Sequence, residues 1–181
     1  MRVRIWIVIF ALILCGCGVG ISGAKNPAEN PALGDVAFTQ PAAGNERLEA
    51  NAELTLINFF TYLNQKSYRQ ASEIYGGPYD QLIGYNPSLS ETDKEGLLQA
   101  GCEYNGLMCL SVLSSRLINA NSTNEFIFEV EFANPDGSLF VLGPCCGASE
   151  DEMPPVSTFN VRVRCESDGV CKVLDLPPYV P

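Results

Sequence analysis

Apolar and polar positions divide this chain into a helical half followed by a stranded half. Between residues 46 and 65 the apolar side chains fall at Leu48, Ala52, Leu56, Phe59, Phe60 and Leu63. Steps of three and four place them on one face of a helix. Lys66-Ser67 breaks this stripe, and Tyr68, Ala71, Ile74 and Tyr75 form a second, shorter one. Gly76-Gly77-Pro78 should stop that helix, because glycine accepts the left-handed cap and proline cannot continue the ladder. A third helix is expected in ETDKEGLLQAG after Ser90, with Asp93 in its first turn and Gly101 as its stop. A carboxylate in the first turn meets the positive end of the helix dipole. The pattern predicts three helices.

Past Cys109 the period switches to two. LSVLSSRLINA (110–120) and EFIFEVEFA (125–133) alternate apolar and polar positions and are rich in β-formers. In the second run Phe126, Phe128, Val130 and Phe132 alternate with Ile127, Glu129, Glu131 and Ala133, giving one apolar face and one largely acidic face. Asn134-Pro135-Asp136-Gly137 has the proline and glycine of a type I turn. Further strands are expected in SLFVLG (138–143), STFNVRVRC (157–165) and VCKVLDL (170–176), the last two joined through Glu166-Ser167-Asp168-Gly169. Helices first and antiparallel strands after them make an α+β domain over residues 46–181.

The helix pair LxxFFxYLxxxxYxxAxxIY, then a third helix, then antiparallel strands resembles the nuclear-transport-factor-like (ketosteroid-isomerase-like, cystatin-like) fold. The resemblance implies N-terminal helices packed on a curved antiparallel sheet, a cone-like arrangement. A helix-plus-sheet domain unrelated to that superfamily is the alternative. A cone can host acid–base chemistry between a carboxylate and a tyrosine in its pocket. Tyr62, Tyr68, Tyr75, Tyr79, Asp80 and Tyr85 lie in or after the helices that would line its mouth. Tyrosines at helical spacing are more often core than catalysts, and no position matches that enzyme's motif. No catalytic residue is assigned.

The first residues read as an address. Arg2 and Arg4 precede an uncharged apolar run, residues 5–14, near the length of a signal-peptide core and short for a membrane span. Leu14-Cys15-Gly16-Cys17 then resembles the lipobox of bacterial lipoproteins, in which a small residue precedes the acylated cysteine. Gly16 meets that need for Cys17, whereas Leu14 fails it for Cys15. The resemblance implies a signal peptide over residues 1–16 and diacylglycerol and palmitate on Cys17. A flexible tether over residues 17–45, rich in Gly, Ala, Pro and Asn, would follow. Cleavage after Ala24, releasing a soluble protein, and an uncleaved anchor are the alternatives.

Charge and composition narrow the function classes. The 181 residues carry 11 basic and 21 acidic side chains and no histidine. Loss of Arg2 and Arg4 with the leader leaves nine basic against 21 acidic residues, a net charge of −12. Such a chain should repel phosphates, so nucleic acid is not an expected partner. Without histidine, serine–histidine and cysteine–histidine catalysis are excluded, along with the commonest zinc ligand.

Six cysteines remain in the domain: Cys102, Cys109, Cys145, Cys146, Cys165 and Cys171. An even number on an exported chain reads as disulfides. Cys102 and Cys109 bracket a loop reversed by Asn105-Gly106, and Cys165 and Cys171 flank the ESDG turn, so each pair can bond locally. Cys145-Cys146 is either a vicinal pair or bonded elsewhere. Zinc knuckles and a C-x-x-C redox centre are both missing, so no metal or other cofactor is expected. The acidic run Glu150-Asp151-Glu152 lacks the alternation of a calcium loop and reads as solvated charge. Asn121-Ser122-Thr123 is a sequon whose chance occurrence in a turn is the default.

The expected function is therefore a non-enzymatic, lipid-anchored envelope protein that binds a partner protein or a small apolar ligand. An enzyme using a carboxylate and tyrosine, or a thiol-redox protein using Cys145-Cys146, are the alternatives.

Overall fold

The computed structural model describes residues 43–121 and 123–180. The leader, Cys15, Cys17, Ala24 and the tether up to residue 42 lie outside the described residues, as does Ser122. Described are four helices, α1 (Ala43–Asn64), α2 (Tyr68–Ile74), α3 (Asp80–Tyr85) and α4 (Lys94–Glu103). Four strands follow: β1 (Ser111–Ala120), β2 (Glu125–Ala133), β3 (Thr158–Cys165) and β4 (Cys171–Val173). They form one antiparallel sheet in the order β1-β2-β3-β4, so the domain is α+β. None of the described helices is long and apolar enough to cross a membrane.

The apolar stripe of α1 is its buried face. Leu56, Phe59 and Phe60 are fully buried, and Phe60 meets Phe132 of β2 edge-on with ring centroids 4.8 Å apart. The helix ends in a Schellman cap. Ser67 N donates to Tyr62 O at 2.8 Å and Lys66 N to Leu63 O at 3.1 Å, with Lys66 left-handed at φ 59°. On β2, Phe126, Phe128, Val130 and Phe132 are all buried, as their alternation predicts. Burying each phenylalanine contributes about 1.5–3 kcal/mol. The acidic face of β2 is matched by its neighbours: Glu129 pairs with Arg116 and Glu125 with Arg164, each at 2.7 Å. Such cross-strand pairs are the sheet's equivalent of helical i,i+4 pairs.

Several expectations need correcting. There are four described helices, not three, because residues 80–85 form α3 around the buried Leu82. Its six residues are too few to show a helical period in the sequence. Asp93 is the N-cap of α4 rather than a first-turn residue, its Oδ1 accepting from Gly96 N at 2.9 Å. Gly101 lies inside α4 and does not stop it; a Cβ there would meet Leu107 Cδ1 at 2.7 Å, so the glycine makes room for that loop. The segment 138–143 is not a strand. It makes only isolated bridges, Ala133 to Leu139 and Leu142 to Val156. Pro144, Pro154 and Pro155 withhold the donors that a longer ladder needs. The last strand is three residues instead of seven, since the chain turns away where Asp175 engages Arg162.

Gly76 and Gly77 serve a purpose beyond ending α2. Tyr75 bridges Val173 in parallel, and Gly76 N donates to Val173 O at 2.8 Å, which covers the open side of β4. A Cβ on Gly77 would lie 2.1 Å from the Leu174 carbonyl oxygen. Side β1, by contrast, carries register shifts between Val112 and Ser114 and between Leu117 and Asn119. Such bulges bend a strand and strengthen its twist.

Among the described residues two disulfides close local loops. Cys102 is bonded to Cys109 with Cα atoms 5.6 Å apart, and Cys165 to Cys171 with Cα atoms 4.0 Å apart. The first ties the end of α4 to the start of β1. The C-terminal segment returns to the same loop, where Met108 N donates to Pro178 O and Val180 N to Gly106 O. Gly106 is left-handed at φ 79°, and a Cβ on it would sit 2.0 Å from Val180 O. Only glycine fits there.

Candidate functional site

The sequence placed six side chains around one expected pocket, and the fold distributes them. Tyr62 packs half-buried against the core, and Tyr68 lines a cleft of about 500 Å³ where α1, α2 and α4 meet the Cys102–Cys109 loop. Tyr75 stacks on Phe59 at 5.5 Å, and Tyr79 meets Tyr75 edge-on at 5.0 Å. Asp80 lines a different cleft, of about 310 Å³, whose far wall is the Arg162–Asp175 pair. Tyr85 lies in a third, also about 310 Å³, stacked on Tyr179 at 5.8 Å. The space between α1 and the sheet is filled by Phe59, Phe60, Phe128 and Phe132, each at most 1% exposed.

One tyrosine does meet a carboxylate. Tyr68 Oη donates to Glu103 Oε1 at 3.2 Å, and Lys66 Nζ lies 3.4 Å from the same oxygen. Desolvation, with Glu103 beside it, pushes the Tyr68 pKa up to about 12. The Glu103 carboxyl is held below its ordinary range, first by the amide of Gln99 and then by Tyr68 and Lys66. A general acid at neutral pH needs a raised carboxyl pKa, and a strong base needs one near the working pH. Glu103 is shifted in the opposite direction from a general acid. Sequence reading missed Glu103 because 35 residues separate it from Tyr68 and no local pattern links them.

Tyr75 and Tyr79 belong to the core. Tyr75 Oη donates to Pro78 O at 3.0 Å, and burial drives its pKa upward. Tyr79 Oη is buried without a hydrogen-bond partner, and burial raises its pKa to about 12. Lys94 sits over the Tyr79 ring, 5.5 Å from its centroid. Tyr104, 78% exposed, stands between the first and third clefts and was not singled out in the sequence.

The remaining candidates fall into loops. Cys145 and Cys146 are unbonded, with sulfurs 2.8 Å apart. Glu150 and Asp151 are exposed, and Glu152 turns back to accept from Ser149 N at 2.9 Å, which lowers its pKa. Asn121 Oδ1 accepts from the Thr123 amide and hydroxyl and from Glu125 N, an Asx turn that opens β2. Among the described residues no three Cys, Asp or Glu side chains converge as metal ligands. Comparison with protein-family models, curated proteins and solved structures found no match.

Proposed function

We propose that this chain is a lipid-anchored protein of the bacterial cell envelope whose α+β domain is a non-enzymatic, partner-binding module. The observation that carries this reading is the pair of disulfides, Cys102–Cys109 and Cys165–Cys171, in a chain that opens on a leader-like run ending at Gly16-Cys17. Stable disulfides belong to oxidising compartments, and acylation of Cys17 would hold the exported domain at a membrane through its tether. The element order, the bulged edge of β1 and the packing of α1 across the sheet support a cone-like, nuclear-transport-factor-like domain.

The filled interior favours a protein partner at the surface over a small apolar ligand inside the cone. The lowered Glu103 pKa, set by Gln99, Tyr68 and Lys66, argues against a general acid at the Tyr68 pair. Fractionation in an exporting bacterial host tests the reading. Wild-type protein should pellet with membranes and leave them only with detergent, and Cys17→Ala should be soluble or retained as precursor. A wild-type protein recovered wholly in the soluble fraction would refute it.

A further inference from the structure

Cys145 and Cys146 are the described cysteines that neither bridge uses. Their sulfurs, 2.8 Å apart, are already nearer than two unbonded sulfurs normally approach. A disulfide needs about 2.04 Å, so the sulfurs lie within about 1 Å of bonding distance, and closure between adjacent residues must also adjust the backbone that joins them. The surrounding backbone is built of turns: Cys146 is left-handed at φ 61°, Gly147 follows at φ 90°, and Ala148 N donates to Cys145 O at 3.0 Å. The loop is closed at its neck by the Leu142–Val156 bridge, so movement at its tip need not disturb the sheet.

Exposure singles out Cys146: Cys102 and Cys109, like Cys145, are partly buried. Cys146 is exposed and Cys145 half-exposed, whereas Cys165 and Cys171 are only 3% and 5% exposed. Thiol–disulfide exchange requires in-line access to sulfur, and Cys146 is the described cysteine that offers it most openly. Charge then selects the reagent. Residues 143–157 contain Glu150, Asp151 and Glu152 and no lysine or arginine, so the loop repels anions and attracts cations.

We infer that Cys145 and Cys146 form a thiol–disulfide exchange site that closes into a third, vicinal bridge by reaction with cationic or neutral disulfides, leaving the two bridges of the fold intact. The exposed Cys146 thiolate attacks one sulfur of an external disulfide R–S–S–R, forming Cys146–S–S–R and expelling the first R–S⁻. Cys145 then gives its proton to water and attacks the Cys146 sulfur, forming the vicinal bond and expelling the second R–S⁻. Two protein thiols lose two electrons and two protons, and the external disulfide takes them up as two thiols. The hydrogen bond to Cys146 and partial burial hold the Cys145 thiol pKa up, which suits the second, resolving role. The site does not depend on the lipid anchor, and loss of membrane attachment would leave it standing.

The test uses full-length exported protein, treated natively with limiting dithiothreitol, alkylated and mapped by peptide mass. Two thiols should appear, both on the peptide bearing Cys145 and Cys146, with Cys102–Cys109 and Cys165–Cys171 still joined. Adding cystamine to the selectively reduced protein should restore the vicinal bridge about tenfold faster than glutathione disulfide at low salt. That ratio should shrink at high salt. In Cys145→Ser, cystamine should leave a lasting mixed disulfide on Cys146 instead of a bridge. The proposal is overturned if both thiols stay separately alkylatable after cystamine, if either is bonded to another cysteine, or if all three pairs reduce together. Equal rates with the two reagents would overturn the charge selection.

Discussion

Cys165 and Cys171 face each other across the β3–β4 hairpin with Cα atoms 4.0 Å apart, as directly opposed residues at the last rung of the ladder. Both are buried, and Cys165 Sγ points toward the Leu48 carbonyl of α1. The bridge therefore fixes the shortest strand where it meets the longest helix. Replacing both cysteines with Ser should lower stability by about 2 kcal/mol, the low end for a disulfide because the loop is short. Far-UV circular dichroism of the folded double variant should match wild type. A change in strand content would mean that the bridge determines the register.

Tyr75 and Tyr79 touch edge to face, yet only the first hydroxyl is satisfied. A buried hydroxyl without a partner forfeits its hydration for nothing. Tyr79→Phe should raise stability by about 1 kcal/mol, whereas Tyr75→Phe should lower it by about the same amount. Urea midpoints of the two variants measure this directly, and the two shifts should differ in sign.

Alkaline pH should unfold the domain through its tyrosines. Tyr68 and Tyr79 have pKa values raised to about 12, against about 10 for a tyrosine in the unfolded chain. The folded state thus holds protons that the unfolded state has released. Their contribution is complete below about pH 10 and is lost as pH rises from there through about 12. Urea midpoints should stay level to about pH 10 and then fall. In the Tyr68→Phe, Tyr79→Phe double variant that fall should be shallower.

Glu103 should act at the other end of the scale. Its folded pKa lies below the ordinary carboxylate range, so its contribution is present above that range and lost as pH falls through the folded value. Glu103→Gln should therefore weaken the domain at neutral pH, and the difference from wild type should vanish in acid. Activity or binding is not needed to read this out; thermal unfolding at neutral and acid pH suffices.

Much of this fold was legible because its signals are local. The stripe of α1 and the alternation of β2 each repeat over many residues, and each described disulfide closes a loop short enough to recognise from its turn residues. What escaped depends on distant partners. The Tyr68–Glu103 hydrogen bond joins two helices, and Gly76 and Gly77 answer to β4 nearly a hundred residues later. Segment 138–143 reads as a strand because LFVL is apolar, although only Phe140 of those four is buried. The prolines that follow it and flank its bridge partner, Pro144, Pro154 and Pro155, outweigh its hydrophobicity. The expected tyrosine pocket dissolves for a similar reason: Tyr75 and Tyr79, on either side of the non-helical Gly76-Gly77-Pro78, both turn into the core, while Tyr85 goes to a separate surface cleft.

The most direct test of the lipid-anchored reading is metabolic labelling of the full-length chain with radioactive palmitate in an exporting bacterial host. The account predicts that wild type and Cys15→Ala are labelled and that Cys17→Ala is not. Unlabelled wild-type protein whose mature N-terminus is Lys25, or a label that survives Cys17→Ala and disappears with Cys15→Ala, would contradict it.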